Sequence, residues 1–375
     1  MVHRSLRTAA PRLTLLVAAS LAVSALGAGT VLAQDAAQTA IINAAGQSDD
    51  TSFCGTDPIK LGIHDGYGVN PWSQASMAAV RLEANKCPNV EQIVLVGGGD
   101  LQKSIGDVDT LVTQGIKALT IIPDFGEAQL ASLQAATAAG VSVVPWGADP
   151  NGVDGTDFVS YVDWSSPEAG TLWANWMVKA LGGTGKVVFI GGPAGNPVTS
   201  GQLASIVEVF KANPGMELLT GDTEWPVTNW DPATAQQQMT ALLAQFPQID
   251  GVISDYGSDL AGAIRAFQAA GRELVPMASL EANSLGCAYK DLKATNPKFE
   301  LTTISSRNWL GRIAVRKALA AANGVANTEP SRYSLPIYED SLGGMAPQCD
   351  PTISPDHYFS NQLSPEDIAK WGVVQ

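Results

Sequence analysis

The stretch IKLGIHDGYGVNPWSQASMAAVRLEANK, from Ile59 to Lys86, opens as an apolar run and closes as a helical pattern. Between them lies a Gly-broken turn ending in Asn70-Pro71. A near-continuous apolar run reads as a strand buried on both faces. Pro71 suits the first position of the helix after it. A strand feeding directly into a helix is half of a βαβ unit. A plain connector needs only Gly66 and Gly68 for its backbone, yet this one also carries Asp65, Tyr67, Asn70 and Trp72.

The same pattern recurs down the chain. Apolar runs near 59–63, 92–96, 117–122 and 141–145 read as strands, with helices near 72–86, 101–114 and 127–139 between them. Gly115 and Gly140 stop two of those helices. A second series places strands near 158–162, 186–190, 217–220, 250–253, 274–278 and 300–304. Its helices fall near 167–181, 199–212, 232–246, 258–270, 283–294 and 309–322. Alternation at this spacing means parallel sheets with right-handed crossovers. The strands are too many for one sheet, so the chain reads as two doubly wound α/β lobes. The boundary falls at the polar cluster DWSSPEAG, from Asp163. The helix at 309–322 comes late and is assigned back to the first lobe. The expected division is therefore 58–162 plus 305–324 for the N-terminal lobe and 163–304 for the C-terminal lobe. Residues 325–375 are expected as an extended C-terminal wrap that packs on the surface of the lobes, with a helical pattern only in SPEDIAKWG.

The chain's 375 residues are 45% hydrophobic and 15% charged, a globular composition long enough for two cores. Residues 1–33 read as an export signal: Arg4, Arg7 and Arg12 precede an apolar stretch, and Val31 and Ala33 fit a cut after Ala33. The uncleaved alternative, a membrane anchor, is weakened by Gly27 and Gly29. Residues 34–57 read as a linker. Cleavage removes three arginines and no acid, which takes the formal charge from −14 to −17. Such a chain repels phosphate backbones, and no basic stripe offsets this, so nucleic acid is not an expected partner. The expected location is the periplasm.

The four cysteines Cys54, Cys87, Cys287 and Cys349 form no CxxC pair and suggest disulfides in an oxidising compartment. Of three pairings, Cys54–Cys87 is favoured, because the start of a first strand and the end of the next helix share one end of a βα unit. Cys287–Cys349 then pins the tail. Free buried thiols are the alternative.

Ligands of open α/β sheets bind beyond the carboxyl ends of the strands. The turns there carry Asn70 and Trp72, Asp124, Trp146 and Asp149, Trp225, Asp255 and Tyr256, Glu281, and Arg307 with Trp309. Aromatic faces pack on the C–H face of a sugar, and carboxylates, amides and guanidinium serve its hydroxyls. Each ring read alone is as easily loop packing; five rings at one edge favour a pocket. Asp100 and Asp259 are read as helix caps. Asp124, Asp149 and Glu281 are read as candidates for ligand. Signals for catalysis are weak. There is no GxSxG or GxxxxGK[ST], and VGGGD and IGGPAG do not match GxGxxG. His64 and His357 are read as local residues. No metal spacing is present and no cofactor is expected.

These residues resemble the type I periplasmic substrate-binding proteins of ABC importers, in the ribose-binding branch. The resemblance covers about residues 58 to 325 and rests on NPWSQASMAAVRLEAN, VDTLVTQGIKALTIIPDF, AATAAGVSVVPWGAD and PQIDGVISDYGSDLAGAIRAFQAAGR. It implies two lobes joined by a hinge that close on a monosaccharide, a permease partner and a monomer. It also implies ligand roles for Asn70 and Trp72, for the turn from Trp146 to Asp149, for Asp255 and Tyr256, for Leu280 or Glu281, and for Ser305 with Arg307 beyond it. The sequence departs from the family where TSGQLASIVEVF lacks an Arg, where WGAD replaces an Asp-Arg pair, and where Tyr256 replaces Asn. The expected function is capture of a sugar or polyol for an ABC importer. A secreted carbohydrate-active enzyme, a sensory binding protein and a non-sugar ligand stay open as alternatives.

Overall fold

A computed structural model of the chain describes residues 48–68, 70–334 and 337–373, together with Met1. Beyond Met1, the export signal expected over residues 1–33 lies outside the described residues.

The run at Ile59–Asp65 (β1) is the second strand of a four-stranded parallel sheet. Val90–Val96 (β2) lies on one side of it, and Ala118–Ile122 (β3) and Ser142–Pro145 (β4) lie on the other. The helix after β1, Pro71–Ala84 (α1), is started by Asn70, whose Oδ1 accepts the Ser73 amide at 2.8 Å. Leu101–Thr113 (α2) is started in the same way by Asp100 on the Lys103 amide, as expected of a cap. Leu130–Ala138 (α3) completes the first series.

The chain leaves this sheet through a two-residue strand, Asp163–Trp164 (β5), and the helix Ser166–Ala180 (α4). The stretch expected as a strand over 158–162 forms only isolated bridges, such as Trp146 to Val162, and the regular pairing starts one residue later. The second sheet contains Gly185–Ile190 (β6), Met216–Leu218 (β7), Gly251–Ser254 (β8), Met277–Leu280 (β9) and Leu301–Ile304 (β10), all parallel. Its helices are Pro197–Ala212 (α5), Pro232–Gln245 (α6), Gly257–Ala269 (α7) and Asn283–Leu292 (α8). The next helix, Leu310–Ala322 (α9), packs on α1, β3 and β4 and so returns to the first sheet. It is buried along nearly its whole length, and among the described residues it completes the first core.

Two segments differ from the sequence reading. Residues 48–57, expected as linker, carry Phe53 and Cys54 into the core, where the Asn323 amide donates to both of their carbonyls. The tail is more than a surface wrap. Arg332–Tyr333 (β11) pairs with β5, and Ile337–Asp340 (β12) joins β10 as an antiparallel edge strand. Tyr358 is fully buried, and the helix Pro365–Trp371 (α10) seats on α1. Tail burial depends on pairing over long sequence separation, which local periodicity does not encode.

Disulfides join Cys54 to Cys87 and Cys287 to Cys349, the favoured pairing. No described helix is long and apolar enough to cross a membrane.

Candidate functional site

The carboxyl ends of both sheets face one partly open cleft, whose roughly 480 Å³ of non-atom space includes open solvent. The first lobe contributes Tyr67, Asn70, Trp72 and Asp124, from the turns after β1 and β3. The second lobe contributes Trp230, Asp255 and Tyr256. Arg307 enters from the crossover between β10 and α9.

Asn70 both caps a helix and lines the cavity. Its Oδ1 caps α1, while its Nδ2 makes no hydrogen bond to another described residue. Trp72 is half-buried, donates its indole N–H to the Ser306 carbonyl at 2.7 Å and packs on Trp146 at 6.1 Å. Tyr67 donates to the Asn229 carbonyl across the cleft at 2.7 Å and meets Trp230 edge-on at 5.2 Å. These contacts hold the cleft closed.

Trp230 follows Asn229 with both residues in the left-handed region, at φ of 53° and 55°. Two successive non-glycine residues there are a strained arrangement, which persists only when the surroundings dictate it. Here Gly192 does so: a Cβ at that position would lie 2.3 Å from the indole. The indole N–H then reaches Asp255 Oδ2 at 3.2 Å.

Asp255 Oδ2 also accepts from the Gly192 amide at 3.1 Å and from the Thr199 hydroxyl. Its Oδ1 has no partner, although the residue is only 3% exposed. Asp124 Oδ2, seated over Gly66, is likewise buried and unpartnered. Burial pushes both carboxyls above the usual range, and the neighbouring Asp65 charge pushes Asp124 further. Asp65 itself is raised to about 6, chiefly by burial.

Arg307 also adopts a left-handed backbone, at φ 62°. Its guanidinium lies between the rings of Trp72 and Trp164, at 5.3 and 5.1 Å. One terminal nitrogen donates to the Gly147 carbonyl at 2.8 Å, and Nε is unpartnered. The cavity is thus lined by carboxyls from both lobes, an amide, a guanidinium and several rings. Buried polar groups without partners are costly.

A family model described as a periplasmic binding protein domain matches residues 66–325, more than half of the chain. The chain belongs to the periplasmic binding protein domain family. This binding-protein chain is 26% identical over 197 residues to a xylitol-binding protein of Mycolicibacterium smegmatis, covering 52% of this chain and 54% of that one. It is 26% identical to a D-apiose import binding protein of Paraburkholderia graminis, covering 54% and 63%. The matches thus span between about half and two thirds of these curated relatives. Among solved structures, a solute-binding protein of Bacillus halodurans with bound myo-inositol aligns with a TM-score of 0.65 at 18% identity, covering 87% of this chain and 99% of that one. The arabinose-binding component from Shewanella sp. ANA-3 aligns at 0.64 and 17%, covering 74% and 91%. At these identities the structural likeness shows the fold, the two-lobed type I architecture.

Within this binding-protein fold, six of the residues singled out from sequence line the cavity: Asn70, Trp72, Asp124, Asp255, Tyr256 and Arg307. Five lie elsewhere. Trp146 is buried beneath Trp72. Asp149 is exposed and accepts the Asn151 amide. Trp225 donates to the Gly192 carbonyl and packs on the core. Trp309 is buried, bonded to the Ser305 hydroxyl and edge-on to Tyr333. Glu281 is turned away from the cavity and accepts from the Ser306 amide and from the amide and hydroxyl of Ser360 in the tail, so Leu280 lines the pocket instead. Asp259, read as a cap, is fully buried and takes the Thr228 hydroxyl at 2.5 Å. Sequence reasoning missed Trp230, whose signal was an aromatic just before the Asp231-Pro232 helix start. His64 is buried on Asp107 at 3.2 Å, and burial pushes its ring down to about 4.

Proposed function

We propose that this chain is a periplasmic solute-binding protein that captures a sugar or polyol between its lobes and delivers it to an ABC importer. The observation that carries this reading is one cleft lined from both lobes by polar and aromatic side chains, Asn70, Trp72 and Asp124 on one side and Trp230, Asp255 and Tyr256 on the other. Neither lobe alone holds the full set of groups. A solute that bonds to both therefore favours the closed state over the open one. Asn70 and Arg307 add donors, and the rings of Trp72 and Trp230 add apolar faces for the C–H side of the ligand. The division into lobes of 58–162 plus 305–324 and 163–304, export with removal of residues 1–33, a monomeric state and a permease partner belong to the same proposal. The names of the relatives, a xylitol binder and an apiose import binder, support it.

A thermal-shift screen over pentoses, hexoses, pentitols and inositols tests the reading. A bound ligand raises the melting temperature by mass action, by about 2.7 kcal/mol of stability at a hundredfold excess over Kd. At least one sugar or polyol is expected to do so, and to be recovered unchanged after overnight incubation. A screen without a shift removes the sugar reading; a chemically altered ligand makes the protein an enzyme.

A further inference from the structure

The family match ends at residue 325, yet the tail beyond it reaches the back of the cleft. Tyr358, Ser360 and Asn361 are buried there. The Tyr358 hydroxyl donates to the Tyr256 hydroxyl at 3.2 Å, and Tyr256 lines the cleft from the second lobe. Two positions on, the Ser360 hydroxyl donates to Glu281. It also lies 2.7 Å from the Ser305 hydroxyl and 3.2 Å from the Ser306 hydroxyl. Those two serines open the crossover that carries Arg307 into the cleft. Ser305 Oγ accepts the Arg307 amide at 3.1 Å, and the Ser306 carbonyl takes the Trp72 indole of the first lobe. Asn361 donates to the Ala75 carbonyl of α1, the helix that carries Trp72.

Resting on the solute-capture reading, we infer that this tail segment is part of the binding site. Tyr358 and Ser360 are positioning residues: they set the affinity for solute through Tyr256 and through the Arg307 crossover, without touching the solute. A buried phenol needs a hydrogen-bond partner, and the one that Tyr358 gives Tyr256 fixes how that ring stands in the wall. Arg307 holds a left-handed backbone, which persists only where its surroundings dictate it. The Ser305 hydroxyl that bonds its amide is itself braced by Ser360. A tail that only covered apolar surface would need rings and methyl groups here. This one places hydroxyls on the backs of groups that line the cleft, and such networks select one arrangement of the side chains they hold.

Titration calorimetry of the full chain, well below its melting temperature, tests the inference with xylitol, D-ribose, D-glucose, myo-inositol and any further compound that the sugar screen yields. Tyr358→Phe removes one hydroxyl and keeps the ring. It is expected to weaken the tightest of these binders by about fivefold. In a Tyr256→Phe background the same substitution should change nothing, because a residue that acts through the Tyr256 hydroxyl has no effect once that hydroxyl is gone. Ser360→Ala should weaken the same binder by a similar factor, with the melting curve showing that the variant folds. A tail that merely holds the fold together would lower the melting temperature of both variants and leave their dissociation constants at the parent value. That result overturns the inference and leaves sugar capture standing, as does an equal loss from Tyr358→Phe in both backgrounds. Binding of no compound to the parent chain removes both readings.

Discussion

Asn70 does two jobs that one substitution separates. Asn70→Ser keeps an oxygen able to cap the Ser73 amide but removes the side-chain amide donor of a residue that lines the cavity. Its melting temperature should stay near that of the parent, while affinity for the best ligand falls by about 1 kcal/mol, roughly fivefold. Asn70→Ala should in addition lose about 1 kcal/mol of stability, because the cap goes too. Trp72→Ala should weaken ligand by about 1–3 kcal/mol in titration calorimetry if the ring stacks on it. The sequence placed Asn70, Trp72, Asp124, Asp255 and Tyr256 at the correct end of their strands. It could not say which way each side chain turns. Tyr256 lines the cavity while Trp146 and Trp309, also just beyond strand ends, turn into the core. Trp230 was harder still, because no strand immediately precedes it and Gly192, 38 positions away, makes its place.

The tail edge strand and its disulfide form one element-scale unit. β12 pairs with β10 through Thr302 to Asp340 and Thr303 to Glu339, and the Cys287–Cys349 bridge anchors the chain beyond β12 to α8. Replacing both cysteines with serine releases a constraint over a separation of 62 residues, a loss of about 4 kcal/mol by loop-closure entropy. Chemical denaturation should show that loss, and hydrogen exchange should place the first added opening at β12. Equal protection of β12 with and without the bridge would show that the edge strand holds itself. The repeating strands and helices were legible because each carries its own period and its own stop, as Gly115 does after α2. β12 was not, because a four-residue strand at the end of a Pro-rich segment carries too little period of its own.

Over the whole molecule, buried acids set the response to pH. Burial raises Asp65 and Asp163 to about 6 and Glu339 to about 7, and it also raises Asp124, Asp255, Asp259 and Glu281. A carboxyl with a raised native value binds its proton more tightly folded than unfolded. Its contribution is complete below the ordinary carboxyl range and is lost as pH climbs through the native value. His64, lowered to about 4 by burial, works the other way between about 4 and 6.5. The acids outnumber it, so calorimetry of the ligand-free protein should give a melting temperature at pH 5.5 at least about 3 °C above that at pH 7.5. A flat or rising profile would show that these carboxyls are ionised in the fold without penalty. The tail sets a different limit, one of reach. Ser360 is tied to Glu281, and Asn361 reaches the Ala75 carbonyl of α1, while α10 begins only five positions after Ser360, at Pro365. A fully stretched chain covers roughly 17 Å over that interval. The segment is therefore a leash with a fixed maximum length between the lobes. Any swing of the lobes that needs more must first lift α10 off α1 or pull Ser360 from the buried carboxylate.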